Sequence, residues 1–253
     1  MPTDVALPPL SPNGWLRWAV VSRLLPLPDR SLRVLEVGCG QGGFAARLAQ
    51  AYDYVGVEPD GVSCSVAQQR LAAAGGRGEV RHGDLAALAE DETFDLVCAF
   101  EVIEHIEDDA AAMREWAGRL RPGGSVLLST PAWQKRFGAA DEMVGHFRRY
   151  DPAVLRSLLH SAGLVDVELL HFGAPLGYVL EAGRNAVGRR RLANGSSAAS
   201  HAERSDASGR TLQPSTSWTA TAARLGTLPF RAVQRAFPNT GPGLVARATK
   251  PLA

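Results

Sequence analysis

The stretch Val34-Leu35-Glu36-Val37-Gly38-Cys39-Gly40-Gln41-Gly42-Gly43 runs an apolar strand without a spacer into a glycine turn, and a helix follows from about residue 44. Glycines at such a junction let the chain turn sharply and let backbone N–H groups approach a ligand that a Cβ would push away, while the helix points its positive end at the same place. The stretch reads as the floor of a nucleotide-type cofactor site. Gly38-x-Gly40-x-x-Gly43 also satisfies the dinucleotide fingerprint, and Glu58, twenty residues after Gly38, stands where a ribose-binding acid is expected for either ligand.

Glu36 narrows the choice. A carboxylate inside an apolar strand is costly to bury unpaired, so a partner is expected, either a ligand cation or nearby backbone donors. S-adenosylmethionine is cationic and carries an ammonium, whereas NAD offers no such group at that point.

Further along, residues 54–58 read as a second buried strand ending in Glu58, and 80–84 as a third ending in Asp84, which suits an adenine amino group or the cap of the following turn that starts at Leu85. A fourth strand, 94–100, leads into Glu101-Val102-Ile103-Glu104-His105-Ile106. A helical turn there would put Glu101, Glu104 and His105 on one face at the strand's carboxyl end. Residues 125–129 are a fifth strand and 165–172 a sixth, with helices over 44–52, 62–74, 108–120 and 152–162. Strand and helix alternate, which is the pattern of a doubly wound parallel sheet. An N-terminal helix, 14–25, capped by Asn13 and leaving Arg17 and Arg23 on its polar side, either packs on the sheet or lies over the cofactor. The stretch 130–150 reads as a loop rich in reactive groups, His146 among them.

The acid before the Gly38-x-Gly40 turn, the Phe94-Asp95-Leu96-Val97 and Glu101-Val102-Ile103-Glu104-His105-Ile106 runs, and Leu120-Arg121-Pro122-Gly123-Gly124 together resemble the small-molecule, ubiquinone-type O-methyltransferases among the class I S-adenosylmethionine-dependent methyltransferases. The resemblance implies a seven-stranded, mostly parallel Rossmann-like sheet and S-adenosylmethionine as methyl donor. It implies a donor site made of Glu36, Gly38, Gly40, Glu58, Asp84, Leu85 and Glu101, with His105 and His146 as catalytic residues. It covers residues 30–172 and extends to a last antiparallel strand, 243–250. The Glu101-x-x-Glu104-His105 spacing is similar to that of relatives in which the matching residues bind a divalent ion, with His146 able to complete the set. Family members also carry this pattern without metal, and no metal is assigned.

The 1–29 stretch then reads as an N-terminal extension, 30–172 as the donor-binding core, 173–242 as an insertion and 243–253 as the strand completing the core. The middle of the insertion, 189–217, is poor in bulky apolar residues and is expected to be disordered, flanked by amphipathic helices over 175–188 and 218–237. From Gly173 onward there are eleven Arg/Lys and three Asp/Glu, so an acidic body carries a basic tail. That insertion caps the acceptor pocket, lies on an anionic membrane surface, or is solvated decoration. The tail lacks aromatic interleaving, which argues against nucleic acid.

Cys39, Cys64 and Cys98 have no metal-like spacing and are odd in number for a disulfide framework, favouring a reducing, cytoplasmic setting. No secretion signal and no apolar run of roughly 18 residues is expected to take the chain into a membrane, leaving peripheral contact as the one membrane role. The expected activity is methyl transfer to an oxygen of a small-molecule or lipid-linked acceptor. The alternatives are an NAD-dependent oxidoreductase and a non-catalytic S-adenosylmethionine-binding protein.

Overall fold

The computed structural model describes residues 7–193 and 217–252. It contains one seven-stranded sheet in the order β3-β2-β1-β4-β5-β7-β6. The strands are β1 (Arg33–Val37), β2 (Asp53–Glu58), β3 (Gly78–His82), β4 (Phe94–Phe100), β5 (Leu120–Pro131), β6 (Val165–Phe172) and β7 (Gly243–Thr249). All neighbours are parallel except β7, which runs antiparallel between β5 and β6. This is the doubly wound sheet expected from the alternation of strands and helices.

The helices follow as α1 (Pro12–Leu24), α2 (Ala45–Ala51), α3 (Gly61–Ala73), α4 (Asp109–Gly118), α5 (Ala139–Val144), α6 (Pro152–Ser161), α7 (Leu176–Ala193), α8 (Ser217–Gly226) and α9 (Leu228–Ala236). Side chains alternate across each strand, so β1 sends Val34 to one face and Leu35 to the other. Val34, Tyr54 and Leu96 pack with Leu16 of α1 and Leu48 of α2. On the opposite face, Leu35, Val97 and Val126 pack with Met113 and Trp116 of α4 and Leu155 of α6.

Several local expectations change. The cap of α1 is Ser11, whose hydroxyl accepts from Gly14 N at 3.1 Å, with Pro12 fixing the first helical φ; Asn13 already lies inside the helix. The 130–150 stretch carries a 3₁₀ turn, Gln134–Arg136, and α5, elements too short to show helical periodicity. The single helix expected over 218–237 is two, because Pro229 near the start of α9 cannot donate to the preceding turn. Residues 189–193 continue α7; the rest of the segment expected to be disordered, 194–216, lies outside the described residues.

α7 is docked on α5. Asn185 Oδ1 accepts from Ala140 N at 2.9 Å. α9 is tied to α1 by Gln234, which donates to Leu16 O at 2.8 Å and accepts from Gly173 N at 3.0 Å.

Candidate active site

β1 and β4 are neighbours whose connections leave in opposite directions, and in such sheets ligands bind at the carboxyl ends of the strands at this switch point. A cavity of about 920 Å³ opens there. Glu36, Gly38, Gly40 and Glu58 line one part of it and Glu101, His105 and His146 another; Leu180, Arg184 and Val187 of α7 form a facing wall.

Gly38 turns at φ +64°, and a Cβ there would come within 2.8 Å of Val102 Cγ2. Gly40 turns at φ +54° and its missing Cβ faces open space, leaving room for a ligand against the backbone. The Glu58 carboxylate accepts from Gly40 N at 2.7 Å and from Asp60 N at 3.0 Å, so the acid that ends β2 holds the glycine turn in place.

Glu36 has a protein partner that the sequence did not suggest, Tyr54 of the adjacent strand, whose hydroxyl donates to Oε2 at 2.7 Å. Burial lifts the Glu36 carboxyl to about 8, with Tyr54 and the charge of Arg17 pulling the other way. Gly56 makes the contact possible, since a Cβ there would lie 2.5 Å from the Tyr54 hydroxyl.

Glu101 sits at φ +60°, before the 3₁₀ turn Ile103–His105, so the expected face of Glu101, Glu104 and His105 does not form as a helical row. Glu101 pairs instead with Arg17 at 3.1 Å and accepts from Ser129 Oγ at 3.2 Å. Arg17, read as a polar-face residue of α1, turns into the cavity because this acid lies beneath it.

Glu104 is fully buried. Its Oε2 accepts from Thr130 Oγ1 at 3.1 Å, and its Oε1 has no hydrogen-bond partner among the described residues. Burial, then the Glu101 charge, push its carboxyl well above the ordinary range. His105 and His146 meet edge to face with ring centroids 4.6 Å apart, and ligand atoms from Glu104, His105 and His146 all lie within 4.8 Å of one another. Three of the four residues named for a divalent ion therefore converge, and Glu101 stands apart. His146 Nδ1 is 2.8 Å from Asp141 Oδ1, which leaves Nε2 facing Glu104 Oε1 at 3.9 Å. A carboxylate that fixes a histidine in this way orients it for a metal or a proton.

Asp141 belongs to a buried network that sequence reading missed. Arg149 Nε reaches both Asp141 oxygens, at 2.9 and 3.0 Å, and its Nη1 reaches Glu181 of α7 at 3.0 Å. Burial works against the Asp141 carboxylate, but the bonds from His146 and Arg149 prevail and hold it at about 2. Asp84 and Leu85 are not part of the cavity wall. β3 ends at His82, Asp84 accepts from Ala86 N at 2.9 Å as the cap of a 3₁₀ turn, and Leu85 is buried in the core.

The sequence profile of a methyltransferase domain matches residues 16–169. The chain belongs to the methyltransferase-domain family. Its relatives include a probable S-adenosylmethionine-dependent methyltransferase of Mycolicibacterium smegmatis, 37% identical over 181 residues, which are 64% of this chain and 69% of that one. Another is the ubiquinone biosynthesis O-methyltransferase of Azorhizobium caulinodans, 38% identical over 105 residues, 41% of this chain and 42% of that one. The chain thus spans between 42% and 69% of the length of these two relatives.

Among solved structures, a Haemonchus contortus phosphoethanolamine N-methyltransferase 2 in complex with S-adenosyl-L-methionine shares the fold with a TM-score of 0.59 at 17% identity, over 98% of this chain and 54% of that one. So does the [4+2]-cyclase SpnF, at 0.59 and 21%, over 94% and 81%. The methyl donor of the family is S-adenosylmethionine, and the match does not favour the dinucleotide alternative. No helix among the described residues is long and apolar enough to cross a membrane.

Proposed function

We propose that this chain transfers the methyl group of S-adenosylmethionine to an oxygen of a small-molecule or lipid-linked acceptor. The observation that carries the reading is that one cavity joins a glycine turn flanked by two acids to a pair of histidines, one of them oriented by a buried aspartate. The name of the Azorhizobium caulinodans relative supports oxygen as the methylated atom.

When bound, S-adenosylmethionine supplies an electrophilic methyl group. Glu36 meets the cationic part of the donor, Gly38 and Gly40 give its backbone-facing side room, and Glu58 takes the ribose hydroxyls beside the Gly40 N–H that it already holds. Asp84 and Leu85 lie outside the cavity wall and keep only the adenine-end role that the family resemblance implies, while Glu101 is assigned to the edge of the donor site near Arg17. Holding acceptor and methyl near contact is worth roughly 7–11 kcal/mol in reactions of this kind. His146 Nε2 takes the acceptor's hydroxyl proton as the oxygen–methyl bond forms and the sulfur–methyl bond breaks, with Asp141 stabilising the imidazolium. His105 orients the acceptor from across the ring pair.

A second reading of the same end of the cavity is favoured by the convergence of Glu104, His105 and His146 and by the orphaned Glu104 oxygen. These mixed carboxylate and imidazole donors fit a divalent ion of borderline character. Such an ion, when bound, acidifies an acceptor hydroxyl.

Purified protein incubated with S-adenosylmethionine and a panel of phenols, catechols and amines tests the reading. Methylated oxygen in the product and formation of S-adenosylhomocysteine are expected. Transfer to amines alone would overturn the choice of oxygen, and absence of donor binding would overturn the whole.

A further inference from the structure

Away from the cavity, three guanidinium groups collect around one indole. Arg47 of α2 and Arg231 of α9 each stand 5.1 Å from the centre of the Trp15 ring, and Arg224 of α8 stands 5.9 Å from it. The aromatic face offsets part of the charge, but a single ring is shared by three cations. Elsewhere in the chain, Arg17, Arg33, Arg81, Arg121, Arg136, Arg148 and Arg149 each pair with a carboxylate. Among the described residues no carboxylate pairs with Arg47, Arg224 or Arg231.

The donors of this cluster are also underused. Arg47 is 8% exposed, and its bond to Gly43 O at 2.5 Å serves one of its nitrogens. Among the described residues Trp15 Nε1 and Arg231 Nε are buried with no hydrogen-bond partner, while Arg231 Nη2 donates to Arg224 O at 2.8 Å. Burial, followed by the charge of Arg224, pulls the Arg47 guanidinium down to about 10. Buried donors without acceptors are expensive, and gathered like charges raise the expense further.

We propose that Trp15, Arg47, Arg224 and Arg231 form a site for a phosphoryl anion, separate from the methyl-donor cavity. Three guanidinium forks and an indole N–H offer more donors than the two oxygens of a carboxylate use, and they match the three acceptor oxygens and the charge of a phosphate. The anion belongs either to a lipid headgroup or to a free phosphorylated molecule. The headgroup has a structural basis on the same two helices, where Trp218, Leu225, Leu228 and Phe237 are at least half exposed.

The test is calorimetric titration of the full chain with inorganic pyrophosphate at low salt, together with sedimentation on phosphatidylglycerol and on phosphatidylcholine vesicles. Wild type is compared with Arg224→Gln and Arg231→Gln, and S-adenosylhomocysteine binding is followed in parallel to show that each variant is folded. Anion binding at least ten-fold weaker in each variant, with S-adenosylhomocysteine affinity unchanged, is the expected result. Binding of pyrophosphate but not of vesicles assigns a free phosphorylated ligand. Sedimentation with phosphatidylglycerol alone, lost in the variants, assigns the headgroup. If neither pyrophosphate nor anionic vesicles bind, or if both bind the variants as well as the wild type, the site does not exist. Should a glutamine variant lose S-adenosylhomocysteine binding, lysine at the same position keeps charge and stem while removing the fork, and carries the same comparison.

Discussion

The Tyr54 hydroxyl donates to Glu36 Oε2 at 2.7 Å between adjacent strands, and both side chains are buried. The carboxyl stands at about 8 against an ordinary 4.5, chiefly through burial. Across that window the folded, ligand-free protein keeps a proton that the unfolded chain has lost. Its stability therefore falls as pH rises from 4.5 to 8 and levels off above. The ammonium that S-adenosylmethionine and S-adenosylhomocysteine share reverses the preference where it meets Glu36 and expels the proton, so S-adenosylhomocysteine should bind more tightly as pH rises from about 6 to 8, by up to ~10-fold per unit. Calorimetry in two buffers of different ionisation enthalpy reads the released proton directly. Glu36→Gln should flatten both dependences, and a wild-type affinity independent of pH would remove Glu36 from the donor site.

His146→Ala should lower kcat by about 10²–10⁴-fold while leaving S-adenosylhomocysteine affinity nearly unchanged, as expected for a group that moves the acceptor's proton. Asp141→Asn keeps the shape but not the charge beside His146 Nδ1 and should lower kcat in the same direction. Equal losses in donor affinity and turnover would instead make His146 part of the donor pocket.

Chelator treatment separates the two readings of the histidine end. If Glu104, His105 and His146 hold a divalent ion, chelated protein loses turnover, manganese or zinc restores it, and Glu104→Gln weakens metal retention by at least about ten-fold, measured by elemental analysis. Full turnover after verified metal removal leaves the histidines as the sole proton acceptors.

Arg149 is held between Asp141 and Glu181 with all three side chains buried. Arg149→Met should cost about 3–5 kcal/mol in urea denaturation, because it removes the buried cation that Asp141 and Glu181 share and leaves Glu181 with Arg136 and Asp141 with His146. Faster amide exchange in α7 should accompany the loss, since Glu181 would then be held by Arg136 alone. A variant as stable as wild type would show that the Asn185 contact and the Arg136–Glu181 pair suffice to dock α7.

The donor end of the site was legible in the sequence because its parts are local. Strand, glycine turn and helix are consecutive, and Glu58 ends the neighbouring strand at a fixed spacing. Glu104 and His105 were legible for the same reason, although one residue at positive φ, Glu101, broke the helical row they were expected to share with it. The rest depends on distant segments meeting. Nothing near Arg17 announces that Glu101 will lie under it, and nothing near Asp141 announces Arg149 together with Glu181, thirty-two residues beyond. Tyr54 stands opposite Val34 in the strand register and reaches Glu36 on the diagonal because Gly56, opposite Glu36, has no side chain. The arginines around Trp15 come from three helices, so composition revealed the charge but not its focus.

Phe172 and Gly243 face one another in the β6–β7 register, so the segment that carries α7, α8 and α9 leaves and re-enters the sheet at one point. The entropy of closing a loop grows only slowly with its length. Closing seventy residues rather than a handful costs the sheet about 2 kcal/mol more, a modest difference for so large a segment, and the same pair of strands closes it in either case. The wall that α7 gives the cavity is in effect a cartridge, fastened to the sheet at a single place and remote in sequence from the glycine turn across the cavity from it.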